Sequence, residues 1–215
     1  MKTYHRDILI NLNEFPDYWC KAFSKRLPND LQPTHGFTLR QILFALRDMP
    51  YKRPSKENTV ENCLDEWQGT CSGKHKVAYE LLNVLGYEAK LWMAAYKVDF
   101  NKNYFSEKLK SLAKNTAVYD IHNFLTCNLT GKDIIIDITF PRKFKSLGFP
   151  VTDEWDGEEN FILCCIPEHT ILIENVDKAD ADKKRWLEEL NSKDGLKIRE
   201  MFIREMMLAA EQATE

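Results

Sequence analysis

The spacing of hydrophobic and polar positions changes period twice along the chain, and each change marks a different kind of element. From Thr38 the apolar residues Leu39, Ile42, Leu43 and Leu46 recur at helical spacing, with Thr38 as N-cap and Pro50 as stop. Tyr51 to Asn58 reads as a loop. A short helix follows Thr59, with Val60, Leu64 and Trp67 on one side. A longer one opens at Gly69-Thr70-Cys71, carries Ala78, Leu81, Leu82 and Leu85 on one face, and stops at Gly86. The period then shortens. Residues 88–98, 118–129 and 133–140 are strand candidates, joined by a polar insertion at 99–117. A loop at 142–160 leads to further strand candidates, Phe161–Ile166 and Thr170–Ile173. Helical spacing returns from Asp177 to Glu215 with a break near Asp194-Gly195, and Leu196, Ile198, Met201, Phe202, Ile203 and Met206 form a stripe expected to pack on the domain. Residues 1–36 read as irregular, their aromatics Phe15, Tyr18, Trp19 and Phe23 set between prolines.

The segment from Val118 to Phe140 carries a parity. In its first half Tyr119, Ile121, Asn123, Leu125, Cys127 and Leu129 occupy one face, mostly apolar. Asp120, His122, Phe124, Thr126 and Asn128 occupy the other, mostly polar. In its second half Ile134, Ile136, Ile138 and Phe140 are apolar, and Asp133, Asp137 and Thr139 are polar. Opposed residues of an antiparallel pair share a face, so a common core requires odd positions to pair with even ones. A two-residue turn at Thr130-Gly131, or a four-residue loop from Leu129 to Lys132, meets that requirement. Either pairs His122 with Thr139 and Asp137 with Phe124, which makes His122 and Asp137 diagonal neighbours on the polar face.

Composition narrows the class. The 215 residues are 44% hydrophobic and 12% aromatic with a net charge of −3, which suits one folded domain and excludes general disorder. Near-neutral charge gives no basic field for nucleic acid. The longest apolar runs, Leu91 to Tyr96 and Phe161 to Ile166, fall far short of the roughly 20 residues of a membrane span. Met1 to Asp7 has no continuous apolar stretch of the signal-peptide type. The expectation is a cytoplasmic protein with no nucleic-acid or membrane partner.

Six cysteines occur, at 20, 63, 71, 127, 164 and 165, with no Cys-x-x-Cys and no zinc-type Cys/His spacing, so neither a metal nor another cofactor is expected. Five are read as small buried hydrophobes. Cys71 differs, because the first turn of a helix stabilises a thiolate through its unpaired N–H groups and dipole. Its side chain lies along the same helix stripe as Ala78. A low-pKa thiol near a His–Asp pair is the geometry of a nucleophile with its base and orienter. His75, one turn after Cys71, is a weaker base candidate and a substrate-proximal one, as is Phe124.

The run Trp67-Gln68-Gly69-Thr70-Cys71-Ser72-Gly73-Lys74-His75, the helix end Leu85-Gly86-Tyr87, the strand Asp120-Ile121-His122-Asn123-Phe124 and the strand Ile136-Asp137-Ile138-Thr139-Phe140-Pro141 together resemble the core of the transglutaminase-like superfamily. The resemblance covers about residues 64–141. It implies an α+β, papain-like fold: N-terminal helices with the nucleophile helix packed on an antiparallel sheet, and C-terminal helices added. On this reading the core spans about 37–141 and the helical extension about 177–215. It also implies that Cys71 is the nucleophile, His122 the base and Asp137 the orienter of an enzyme acting on amide bonds through an acyl-thioester. The order matches, with 51 residues from Cys71 to His122 and 15 more to Asp137. Asn123 stands where the family has an aromatic directly after the histidine, and the aromatic and acidic arrangement around calcium in animal transglutaminases has no counterpart.

An oxyanion hole needs the Cys71 N–H and a second donor, for which Gln68 and Trp67 are the candidates. The expected substrate is a protein, a peptide or a small amide. The segments 99–117 and 142–160, which flank the hairpin in sequence, are candidates to frame the cleft. Two rivals stand beside this reading: a binding module of the same fold without turnover, and acyl transfer from a thioester cofactor as in arylamine N-acetyltransferases.

Overall fold

The computed structural model describes residues 9–11, 15–26, 37–129 and 131–212. The rest of the expected irregular amino terminus (1–8, 12–14 and 27–36) and Thr130 lie outside the described residues. The elements in chain order are β1 (Leu9–Ile10), α1 (Asp17–Ser24), β2 (Phe37–Thr38), α2 (Leu39–Asp48), α3 (Val60–Glu66), α4 (Cys71–Val84), β3 (Ala89–Lys97), α5 (Glu107–Ala113), β4 (Tyr119–Asn128), β5 (Asp133–Ile136), β6 (His169–Leu172), α6 (Ala179–Leu190) and α7 (Lys193–Gln212). Short 3₁₀ turns occupy Arg142–Leu147 and Val176–Lys178. The class is α+β, with an antiparallel sheet in the order β5-β4-β3-β6 and a small β1-β2 pair. Among the described residues no helix is long and apolar enough to cross a membrane.

Local chemistry sets the helix ends. Thr38 and Gln41 form a reciprocal capping box on α2, a device that adds about 1 kcal/mol. Helix α3 ends where Trp67 takes a left-handed conformation at φ 50°, and Gly86 turns the chain out of α4 at φ 82°. Helix α4 lies on the sheet through Val77, Ala78, Leu81 and Leu82, which share one core with Leu91, Met93, Ile121, Leu125 and Ile136. Helix α3 packs closely against it at Gly73, where a Cβ would lie 2.6 Å from Cys63 Sγ and 2.7 Å from Asn58 Oδ1. Gly73→Ala is therefore expected to destabilise the fold by about 1–3 kcal/mol despite alanine's better helix propensity. Urea unfolding measures it, and a variant as stable as the parent contradicts the close packing.

Several expectations are corrected. Helix α1 lies inside the segment read as irregular; Pro16 sits at its N-cap, where a missing N–H costs nothing, and Trp19 and Phe23 are fully buried. The polar insertion at 99–117 holds α5, capped by Ser106 and anchored by the buried Leu109. The helical break falls at Asn191-Ser192 rather than Asp194-Gly195, because Ser192 Oγ accepts from the Gly195 N–H at the start of α7. Phe161–Ile166 is not a strand. Only Phe161 bonds to β5, through Ile135 O; the Ile162 and Cys164 N–H groups go to Thr152 Oγ1 and Asp137 Oδ2.

The observed β4–β5 register pairs Leu125 with Ile136 and Asn128 with Asp133, the register that the parity requires. The ladder nevertheless ends at Ile136 and not at Phe140, so the His122–Thr139 and Phe124–Asp137 pairs do not form. The next backbone groups have other partners: the Ile138 N–H donates to His75 Nε2, the Thr139 N–H to Asp137 Oδ1, and the Thr139 carbonyl accepts from Lys74 Nζ.

Candidate active site

Helix α4 brings Cys71 to its first turn. The N-cap Thr70 makes no side-chain hydrogen bond to the helix, so the first N–H groups point out of the helix end beside the thiol. Strand β4 supplies His122, and the chain just beyond β5 supplies Asp137. All three are buried, Cys71 retaining 7% exposure. His122 Nε2 lies 2.9 Å from Asp137 Oδ2. His122 also acts on the Cys71 thiol electrostatically, and with Nε2 committed to Asp137 the ring nitrogen left to exchange a proton is Nδ1. Asp137 Oδ2 accepts from the Cys164 N–H as well, and Oδ1 from the Thr139 N–H.

The electrostatics follow from these contacts. Burial pushes the Cys71 thiol up, but the Lys183 ammonium and then His122 pull it down to about 6. Burial disfavours a charged His122, and the Asp137 carboxylate and the Cys71 sulfur outweigh it, holding the imidazole well above its ordinary range. Burial likewise works against the Asp137 carboxylate, and the charge and hydrogen bond of His122 hold it well below the usual range. Two buried cysteines show the contrast. Burial pushes Cys63 up to about 11 and Cys127 up to about 12.

Two residues of α4 brace this arrangement. Lys74, fully buried, donates to the carbonyls of Arg47 and Thr139 at 2.6 and 3.0 Å. His75 Nδ1 donates to the Cys71 carbonyl at 2.7 Å, and its Nε2 accepts from the Ile138 N–H at 3.0 Å. That pair of bonds fixes the neutral tautomer, and burial depresses His75 to about 4. Its Nε2 lies 3.6 Å from Asp137 Oδ1, but as an acceptor it makes no ion pair there. His75 has no exposed surface and faces away from the cleft. It is a clamp on the Asp137 turn, neither a base nor a substrate contact. Phe124 is also buried. It stacks between His122 and Trp92, with centroids 6.3 Å away on each side, and supports the imidazole from within.

The chain has no match among protein-family models, curated proteins or solved structures.

Neither expected oxyanion donor reaches the thiol. Gln68 Nε2 donates to the Arg53 carbonyl and to Glu66 Oε2. Trp67 packs edge-on against Phe23, with centroids 5.1 Å apart.

Cys71 opens instead on a cleft of about 570 Å³, walled by the 51–58 loop and by α6 and α7. Segments 99–117 and 142–160, expected to frame the cleft, do not line it. Three residues outside the expected set stand beside the candidate site, Lys183 and Arg199 lining the cleft. Lys183 Nζ on α6 lies 3.4 Å from Cys71 Sγ, 3.0 Å from Ser72 Oγ and 2.8 Å from Asn123 Oδ1. Arg199 on α7 pairs with the buried Asp120 at 2.6 Å. Cys164, read as part of a buried strand, is half-buried with its Sγ 3.4 Å from both ring nitrogens of His122. Burial, Cys165 and Asp137 hold it a thiol, well above its ordinary pKa, whereas its hydrogen bond to Cys165 lowers that neighbour's pKa. Nothing in their local sequence marks Lys183 or Arg199, because each sits in an ordinary charged helix.

Proposed function

We propose that this chain is a cysteine-dependent acyl-transfer enzyme acting on amide bonds, built on a papain-like, transglutaminase-like core. The observation that carries the proposal is the His122–Asp137 bond at 2.9 Å beside the lowered Cys71 thiol, with the sulfur at a helix N-terminus and at the wall of a cleft. The Cys71 thiolate attacks the amide carbonyl, forming the S–C bond and moving the carbonyl electron pair onto oxygen. The Cys71 backbone N–H, at the head of α4, is placed to stabilise that charge. When the intermediate collapses, the C–N bond breaks and the leaving amine takes a proton from His122 Nδ1. Asp137 keeps Nε2 protonated and the ring oriented throughout. Water or a second amine, deprotonated by His122, then releases the acyl group from the thioester.

The test is alkylation of all six cysteines by iodoacetamide as a function of pH, located by mass spectrometry. Groups facing Cys71 are Lys183 from α6, His122 and Asp120 from β4, Tyr51 from the preceding loop, Lys74 from α4 and Cys164. Because the Cys71 pKa is lowered, the reactive thiolate is present above about pH 6 and lost below it. Cys71 labelling should rise through that pH and be complete where ordinary thiols, at about 8.5, are still protonated. In His122→Ala the midpoint moves up. Uniform slow labelling of all six cysteines overturns the enzyme reading and favours the binding module. Protection of Cys71 by acetyl-coenzyme A favours the thioester-cofactor rival.

A further inference from the structure

We propose that Lys183 is a catalytic residue, donating from its ammonium to the tetrahedral oxyanion as the second partner of the Cys71 N–H. The inference rests on the acyl-transfer reading of Cys71 and adds to it the residue that completes the oxyanion site. The ammonium is fixed rather than floating. Asn123 Oδ1 and Ser72 Oγ take two of its three hydrogens at 2.8 and 3.0 Å, and the third points to Cys71 Sγ at 3.4 Å. Helix α6, which carries it, is held against the α4 side by the Lys76–Asp180 pair at 2.6 Å. Lys183 also lines the cleft, so a bound carbonyl approaches the sulfur beside it.

The chemistry uses that placement in sequence. Before attack the third hydrogen faces the thiolate charge. As the sulfur electron pair forms the S–C bond, the charge passes to the carbonyl oxygen, two bonds from sulfur and within hydrogen-bond reach of the same hydrogen. The ammonium follows the charge without moving its anchor and without giving up a proton; the leaving amine is protonated by His122. A donor already aimed at the place where charge develops is the arrangement that stabilises a transition state most. Gln68 and Trp67 are engaged elsewhere, which leaves this position to Lys183.

The experiment compares two reactions at Cys71 in the full chain and in Lys183→Met. Acylation by p-nitrophenyl acetate passes through a tetrahedral oxyanion, whereas alkylation by iodoacetamide displaces iodide at a saturated carbon and forms none. Both rates are taken on each protein's own high-pH plateau, where Cys71 is fully ionised, with the modified cysteine identified by mass spectrometry. Without Lys183 the thiol pKa rises and the alkylation midpoint moves up. Plateau alkylation is expected to stay level or rise by a few-fold, since nucleophilicity follows basicity only weakly. Plateau acylation is expected to fall by about 10²–10³-fold, the usual loss for one oxyanion donor. Acylation and alkylation plateaus that move together overturn the proposal and leave Lys183 a thiolate partner only. Lys183→Gln, which keeps a donor to Asn123 but lacks the charge, gives the same comparison if the methionine variant does not fold. Failure of the underlying acyl-transfer reading looks different: Cys71 of the unaltered chain then shows no selective labelling below pH 7.

Discussion

Cys71→Ala is expected to lower the rate of acyl transfer by at least about 10³-fold, the scale on which removing a triad nucleophile acts. The loss is large because in this mechanism the Cys71 thiolate forms the covalent bond, and without that sulfur His122 and Asp137 have no thiolate at the cleft to serve. Stability should change little, within about 1 kcal/mol. The substitution removes one small atom from a 7%-exposed position at the cleft, and Lys183 keeps its bonds to Asn123 and Ser72. Burst kinetics with p-nitrophenyl acetate and a thermal melt measure the two effects. Retention of a tenth or more of the acylation rate in a folded variant rejects Cys71 as nucleophile.

Arg199→Met is expected to destabilise the protein by about 3–5 kcal/mol, because it strands a buried carboxylate. The guanidinium donates from Nε to Asp120 Oδ1 at 2.7 Å and brings Nη2 to within 2.6 Å of the same oxygen as an ion pair, while Tyr96 donates to Oδ2 at 3.2 Å. Both partners are less than 10% exposed. For a chain of this size the loss corresponds to a fall of roughly 6–20 °C in Tm. Burial pushes Asp120 up, and Arg199 followed by Lys183 outweighs it, so its carboxyl lies below the ordinary value. The ion pair therefore adds stability above the unfolded carboxylate pKa, near 4, and loses it as pH falls through the lower folded value. The gap in stability between the parent and Arg199→Met should be widest at neutral pH and close in acid. The double variant Asp120→Leu/Arg199→Met should recover much of the loss, since no charge is left unpaired. A single variant with Tm within about 2 °C of the parent, at neutral pH, contradicts the account.

The two predictions draw on parts of the molecule that differ in how readable they were. Cys71, His122 and Asp137 could be chosen before any coordinates, because the signals were local: a cysteine at a helix start and a hairpin parity that fixes register. His122 and Asp137 do meet, although by a side-chain bond across a ladder that has already ended. The sequence could not show why it ends, since the competing acceptors, His75 and the Asp137 carboxylate itself, act on the backbone only once α4 lies beside it. The same contact turns His75 into a buried clamp. Gln68 and Trp67 were reasonable donors from their nearness to Cys71 in sequence. The left-handed turn at Trp67 sends the indole toward Phe23 instead.

The polar face of β4 shows the wider limit. Asp120, His122 and Phe124 read as the mostly polar face of a strand, yet all three are buried, and α7 reaches Asp120 through Arg199. The sequence by itself determined where α2 and α4 start and stop, the β4–β5 register and the order of Cys71, His122 and Asp137, because capping, φ preference and side-chain alternation act between near neighbours. Only the tertiary structure decided which side of the sheet the C-terminal helices cover, and with it the cleft, Arg199 against Asp120 and Lys183 against the thiol. Those contacts join residues 60 to 112 positions apart, and a charge on a helix carries no local mark of the buried partner it will meet.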